Sequence, residues 1–198
     1  MKIVVYDLNQ TLYKKSSKDS FFKFVCYKRE LKIFYLFQLF WIQFLHKTNM
    51  IGKTTFKENF YNYLNGLPPE KVQKYAEQFW NMEFPELFNS KMLADIKKFD
   101  SEGIKVFIVT GGFEVYIKYL EKILPVKVIG TKAEYRDGTY KVIGEACNGE
   151  EKIKRLNAEI KEDYEIIEAY SDEKEPILFK AKKGYYIDGE KITLIHQK

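Results

Sequence analysis

Asp7 ends the apolar run Ile3-Val4-Val5-Tyr6 and is followed by Leu8-Asn9-Gln10-Thr11. A carboxylate at a strand end can act as a nucleophile or as a Mg²⁺ ligand, and can equally cap a loop. Thr110-Gly111-Gly112 follows the β-branched run Lys105 to Val109 and opens a helical pattern. A hydroxyl with backbone N–H groups at a helix N-terminus makes a phosphate cradle, although the same tripeptide is also a common turn. Lys152 comes early in a helical pattern after Gly149-Glu150-Glu151, where it can neutralise a bound anion or simply face solvent. Asp172 stands with Glu173 and Glu175 in an acidic loop after the strand pattern Glu165 to Ala169. Such a cluster offers hard oxygen ligands to a divalent cation, or is a solvated turn.

These residues need elements that bring them together. Ile3 to Tyr6 and Lys105 to Val109 read as buried parallel-type strands. Val126 to Ile129, Glu165 to Ala169, Tyr185 to Ile187 and Lys191 to Ile195 are further strand patterns, and Lys132 to Ile143 is a hairpin turning at Asp137-Gly138. Helical patterns cover Ser17 to Leu45, Lys53 to Leu64, Pro69 to Met82, Glu86 to Phe99, the stretch from Gly112 to about Leu124, Glu150 to Ile160 and Pro176 to Lys182. Strands alternating with helices predict an α/β fold with a doubly wound, Rossmann-like, mostly parallel sheet. The block between the first strand and the rest carries no strand signal. It reads as an all-helical cap over residues 14–85, inserted into a core of residues 1–13 and 86–198. In such sheets chemistry sits beyond the carboxyl ends of the strands, which selects Asp7, Thr110 and Asp172.

The 198 residues suit one domain or a core with a small insert, large enough to bury a core without staples. Two cysteines, Cys26 and Cys147, are too few for a disulfide framework and lack zinc-ligand spacing, so a reduced, cytoplasmic setting is expected. The N-terminus does not read as a signal peptide. The longest uncharged run, Ile33 to Leu45, is shorter than the roughly 20 residues of a membrane-spanning helix. The formal charge of +5 is localised: residues 14–85 hold twelve Lys/Arg against six Asp/Glu. That segment could meet a phosphorylated metabolite or an acidic lipid surface, or be a solvated helical face. It carries no nucleic-acid-binding motif, and no nucleic-acid partner is expected. The sequence assigns no oligomeric state.

Taken together, the four segments resemble the haloacid dehalogenase superfamily, and within it the phosphoserine-phosphatase-like branch (subfamily IB). That branch carries a helical cap after the first motif. The matching segments are Val4-Val5-Tyr6-Asp7-Leu8-Asn9-Gln10-Thr11-Leu12, Val106-Phe107-Ile108-Val109-Thr110-Gly111-Gly112, Cys147-Asn148-Gly149-Glu150-Glu151-Lys152 and Ala169-Tyr170-Ser171-Asp172. The hairpin Glu134-Tyr135-Arg136-Asp137-Gly138-Thr139-Tyr140 also fits the branch, and the likeness covers nearly the whole chain. It implies a Mg²⁺-dependent phosphomonoester hydrolase working through an aspartyl-phosphate on Asp7. Mg²⁺ would be held by Asp7, the backbone carbonyl of Asn9 and Asp172, with Glu175 or Glu173 on a metal-bound water. Thr110, Gly111 and Gly112 would hold the phosphoryl group, and Lys152 would stabilise it, with Lys132 the alternative lysine.

The sequence departs from the family pattern at Asn9, where family phosphatases carry an Asp that protonates the leaving group and then activates water. An amide cannot shuttle a proton, and losing a general acid/base costs about 10²–10⁴-fold in rate. The expected activity is a slow phosphatase, or alternatively binding of phosphorylated ligands without turnover. Phosphoserine-specific members place an acid early in the cap, whereas Tyr13-Lys14-Lys15-Ser16-Ser17-Lys18 is basic. The cap also holds Phe21, Phe22, Phe24, Phe34, Phe37, Phe40, Trp41 and Phe44 among lysines and Arg29, the latter a candidate substrate contact. Such a helix is buried among other helices, or it docks on a membrane periphery or admits a lipid phosphate, as in some similar capped hydrolases.

Overall fold

The structure, a computed structural model, describes residues 1–29, 40–42, 44–45, 47–48, 50 and 61–198. β1 (Lys2–Tyr6), β2 (Lys105–Phe113), β3 (Lys127–Thr131), β6 (Glu165–Ser171), β7 (Lys183–Asp188) and β8 (Lys191–Gln197) form one sheet. Their order is β3-β2-β1-β6-β7-β8, parallel throughout except for β8, which runs antiparallel to β7 at the edge. β4 (Ala133–Arg136) and β5 (Thr139–Val142) make the separate hairpin expected around Asp137-Gly138.

The sheet is buried on both faces, and its sequence shows why. Successive side chains of a strand point to opposite faces. In β1, Val4 and Tyr6 enter one apolar cluster, and Ile3 and Val5 enter another. The first cluster continues into the helices α1 (Ser17–Lys28), α2 (Pro69–Glu83) and α3 (Ser90–Ser101). The second lies under α5 (Glu150–Glu159) and α6 (Pro176–Lys180), through Leu156, Ile177 and Leu178. Both faces are therefore covered, which is the condition for an apolar parallel sheet.

Between β1 and α3 the described residues form no strand. α1 stops at Arg29, whose backbone is extended (φ −126°, ψ 140°), so the expected run to Leu45 is interrupted there; residues 30–39 lie outside the described set. The expected helix Lys53 to Leu64 falls mostly outside it too, and Tyr61–Leu64 is a single 3₁₀ turn. The helix expected from Glu86 starts instead at Ser90, because the Asn89 side chain accepts the Met92 N–H at 3.2 Å and caps it.

A larger difference concerns Thr110-Gly111-Gly112. These residues do not open a helix; β2 continues through them to Phe113, which pairs with Thr131. The helix that follows, α4 (Glu114–Ile117), is one turn long and passes into the 3₁₀ turn Lys118–Lys122. The Glu114 and Glu121 carboxylates accept the N–H groups of Gly130 (3.0 Å) and Val128 (2.8 Å), tying this segment to β3.

Candidate active site

Asp7 sits just past β1, its N–H bonded to the carbonyl of Tyr170 on the neighbouring strand at 2.8 Å. The chain then turns back on itself, with Gln10 in the left-handed region (φ 53°) and the Tyr13 N–H on the Leu8 carbonyl. Asp172 follows β6, adjacent to β1, so the two carboxylates emerge side by side at the same end of the sheet. Thr11, which the sequence reading quoted without assigning a role, joins the two loops. Its hydroxyl accepts the Asp172 N–H at 3.0 Å and lies 3.4 Å from an Asp172 carboxylate oxygen.

Lys152 projects from the first turn of α5 into this loop cluster and is almost fully buried, at 3 % exposure. Its Nζ lies 3.2 Å from Asp7 Oδ1 and donates to Glu175 Oε1 at 2.6 Å. Ser171 Oγ donates to the same Glu175 oxygen at 3.0 Å. Burial opposes a charge on Lys152, but the flanking Asp7 and Glu175 carboxylates outweigh it and raise its pKa, so it stays an ammonium. Glu175 is thus placed as the partner that orients Lys152. Asp172 is the less compensated acid: burial first, and then the charge on Asp7, push it up to about 6.

A cavity of about 270 Å³ opens onto these groups. Of the expected site residues, Asp7, Asn9, Gly111, Gly112, Lys152, Asp172 and Glu175 line it. The Gly111 carbonyl accepts the Thr131 hydroxyl at 2.8 Å, which fixes the Gly111–Gly112 peptide at the cavity wall. A Cβ on Gly112 would come within 2.2 Å of Ile117 Cδ1, so a side chain there would require the tip of Ile117 to move. Thr110 is buried behind the wall, its Oγ1 3.5 Å from the Gly112 N–H. Arg29 is placed elsewhere: its Nη1 donates to the carbonyls of Tyr63 (2.9 Å) and Asn65 (3.5 Å). Lys132 is exposed and borders a different groove.

The sequence reading missed the cavity walls supplied by Gln10, Ser16, Lys18, Tyr61 and Asn148. Gln10, Ser16 and Asn148 are close in sequence to recognised motifs, and proximity could have suggested them. Tyr61 arrives from the 3₁₀ turn Tyr61–Leu64, remote in sequence from the motifs, and leaves no local signal.

The Asn9 side chain has a defined role in this geometry. Its Oδ1 accepts the backbone N–H of Ser17, the first residue of α1, at 2.7 Å. A backbone N–H can only donate, so the amide orientation follows and its NH₂ edge is left as a donor.

The residues fit a Mg²⁺ ion. Asp7 Oδ1 is buried with the Lys152 ammonium 3.2 Å away, and Asp172 faces it as a second crowded carboxylate. Among the described residues no three acidic, His or Cys side chains converge on a metal position. Mg²⁺ takes one or two carboxylates and fills its octahedron with phosphate oxygens and water, so the Asp7 and Asp172 pair matches its needs.

Comparisons with known proteins bear on the family and the fold. A family model described as haloacid dehalogenase-like hydrolase matches residues 4–175. A protein of unknown function from Bordetella pertussis Tohama I superposes with a TM-score of 0.77 at 17% identity, over 89% of this chain and 85% of that one. A phosphoserine phosphohydrolase-like protein from Francisella tularensis subsp. tularensis SCHU S4 gives a TM-score of 0.56 at 17% identity, over 88% and 80% of the two chains. A substrate-bound phosphoserine phosphatase gives 0.56 at 20% identity, over 91% and 82%. No curated protein matches the chain in sequence.

Proposed function

The chain belongs to the haloacid dehalogenase-like hydrolases, and from that premise we propose that it hydrolyses a phosphorylated small molecule with Asp7 as the nucleophile. The observation that carries the reading is the buried Asp7–Lys152–Glu175 chain opening onto the cavity beside Gly111 and Gly112.

An Asp7 carboxylate oxygen attacks phosphorus, the bond to the leaving oxygen breaks, and an aspartyl-phosphate forms. Lys152, held as an ammonium, offsets charge on the nucleophile and on the phosphoryl oxygens. The backbone of Gly111 and Gly112 borders the space for those oxygens, and Thr110 supports it from behind. Mg²⁺, held by Asp7, Asp172 and the Asn9 backbone carbonyl, would offset the repulsion between carboxylate and phosphate. Residues 14–85 act as a cap that supplies the Ser16, Lys18 and Tyr61 walls and so bears on the substrate.

Asn9 sets the rate. Its NH₂ edge can hydrogen-bond the leaving oxygen or a water but can neither give up nor take a proton. The leaving oxygen must therefore draw its proton from solvent, and water must attack the aspartyl-phosphate without a base at this position. An Asp here would accept the same Ser17 N–H, so Asn9→Asp fits without rearrangement.

The test is Mg²⁺-dependent hydrolysis of p-nitrophenyl phosphate. Slow turnover is expected, abolished in Asp7→Ala and raised by about 10²–10⁴-fold in Asn9→Asp. No turnover above the Asp7→Ala background in either the native or the Asn9→Asp protein would overturn hydrolysis and leave phosphoryl binding alone. A panel of phosphometabolites and a lipid phosphate, run on both proteins, then identifies the leaving group.

A further inference from the structure

The first cluster of the fold takes in Ile42, which is buried, but the apolar residues on either side of it turn outward. Phe40 is 74% exposed, Trp41 61%, Phe44 50% and Met50 69%. The Trp41 and Phe44 rings stack at 6.0 Å, so two of the largest apolar side chains form one exposed surface. Soluble proteins rarely leave a group of this kind uncovered without a partner for it.

Charge points to the partner. From Leu31 to Lys57 the sequence holds no Asp or Glu, while it holds Lys32, Lys47, Lys53 and Lys57. Lys47 is exposed, three residues after Phe44. Exposed Trp, Phe and Met with the exposed Lys47, in a sequence segment without acids, complement an anionic bilayer: the aromatics enter the headgroup boundary and Lys47 meets the lipid phosphates. No helix among the described residues is long and apolar enough to cross a membrane, so the contact is peripheral.

We propose that the surface formed by Phe40, Trp41, Phe44, Lys47 and Met50 docks the protein on an anionic membrane. The contact lies outside the catalytic cavity and does not depend on which phosphorylated compound is hydrolysed, or on whether any is.

The protein carries its own probe. Of its two tryptophans, Trp41 is exposed, whereas Trp80 is fully buried with its Nε1 bonded to the Tyr116 carbonyl. Adding phosphatidylglycerol-containing vesicles at low ionic strength is expected to shift the Trp41 emission to the blue and to sediment the protein. Pure phosphatidylcholine vesicles should do far less. Trp41→Phe should abolish the emission change while leaving Trp80 emission unaltered.

Phe40→Ser and Phe44→Ser, at exposed positions, should each weaken partitioning by about tenfold. Lys47→Glu should weaken it several-fold at low salt, and less at high salt. No blue shift with anionic vesicles at low salt overturns the proposal. The same shift on raising protein concentration without vesicles also overturns it, by assigning the surface to a second copy of the chain. Hydrolysis of p-nitrophenyl phosphate, measured alongside, is expected to be equal in the Phe44→Ser and native proteins, which separates docking from catalysis.

Discussion

Lys152 is buried between two carboxylates, and Trp80 is buried among aromatic rings. The two regions they represent meet at Tyr61, which lines the catalytic cavity and also stacks on Phe113 at 3.9 Å. In the aromatic region Phe21 stacks on Tyr116 at 4.4 Å, and Trp80 lies edge-on to Phe79 and Tyr13. Several of its polar tips find partners: Tyr13 on Glu83, Trp80 on the Tyr116 carbonyl, and Tyr116 on Ser17 and Tyr61. In the charged region satisfaction is incomplete: Glu175 Oε2 is buried without a hydrogen-bond donor, and the buried Asp7 Oδ1 relies on its 3.2 Å ion pair with Lys152. The aromatic region stabilises the fold through each of its members. The charged one holds together only as a set, and its unsatisfied oxygens mark where a ligand belongs.

Breaking each region should show this difference. Lys152→Met leaves the buried Glu175 and Asp7 carboxylates facing each other without a cation. The expected cost is about 3–5 kcal/mol of stability, with a loss of kcat of about 10²–10³-fold. Adding Glu175→Gln should restore most of the stability and none of the activity, read by denaturant melts beside the phosphatase assay. Trp80→Ala should also cost about 3–5 kcal/mol, yet no second substitution in its surroundings should recover it. If the Lys152→Met and Glu175→Gln losses simply add, the charged region is not a coupled set.

The charged region was also the more legible one. Asp7, Lys152 and Asp172 each sit at the end of a strand or the start of a helix, so short motifs were enough to bring them together. The sheet was legible for a similar reason, since period-2 burial on two faces is written into runs such as Ile3 to Tyr6. Glu175 was recognised as part of the site but read as metal support, because the distance between α5 and the loop after β6 is a tertiary quantity; the structure puts it on Lys152. The extended Thr110-Gly111-Gly112 was missed because the strand resumes beyond it through Phe113 pairing with Thr131, and the Thr131 hydroxyl holds the Gly111 carbonyl, both far along the chain. The aromatic region was visible only as a composition. Which rings turn inward, such as Phe21 and Tyr61, and which outward, such as Trp41, depends on helix packing that no local pattern encodes.

A gentler change sharpens the boundary between the two regions. Tyr116→Phe keeps the stacked ring and removes the hydroxyl that joins Ser17 to Tyr61. Its expected cost is about 1 kcal/mol, the net worth of a buried hydrogen bond. Ser17 also holds Asn9 through its backbone N–H, which this substitution leaves in place. KM is therefore expected to rise through loosening of Tyr61 at the cavity wall, with kcat nearly unchanged. A drop in kcat with KM constant would show that the aromatic region reaches the reacting groups through Asn9.

The smallest effect at ordinary pH is confined to the aromatic region. Burial raises the Tyr116 hydroxyl to about 12, partly relieved by its bonds to Ser17 and Tyr61, and raises Tyr61 and Tyr63 as well. In the unfolded chain these phenols titrate near 10. A group whose pKa is raised on folding binds its proton more tightly in the native state. Its contribution is fully present below about pH 10 and is lost as pH climbs through the folded value. Stability should therefore be insensitive to these groups between pH 7 and 9 and fall steeply from about pH 10 upward. The share of phenolate absorbance at 295 nm that comes from these buried tyrosines should appear together with unfolding, after the rise from exposed residues such as Tyr27. Tyr116→Phe removes one of the titrating groups and should flatten that decline. Lys152→Met, which touches only the charged region, should leave its midpoint where the lower overall stability alone would put it.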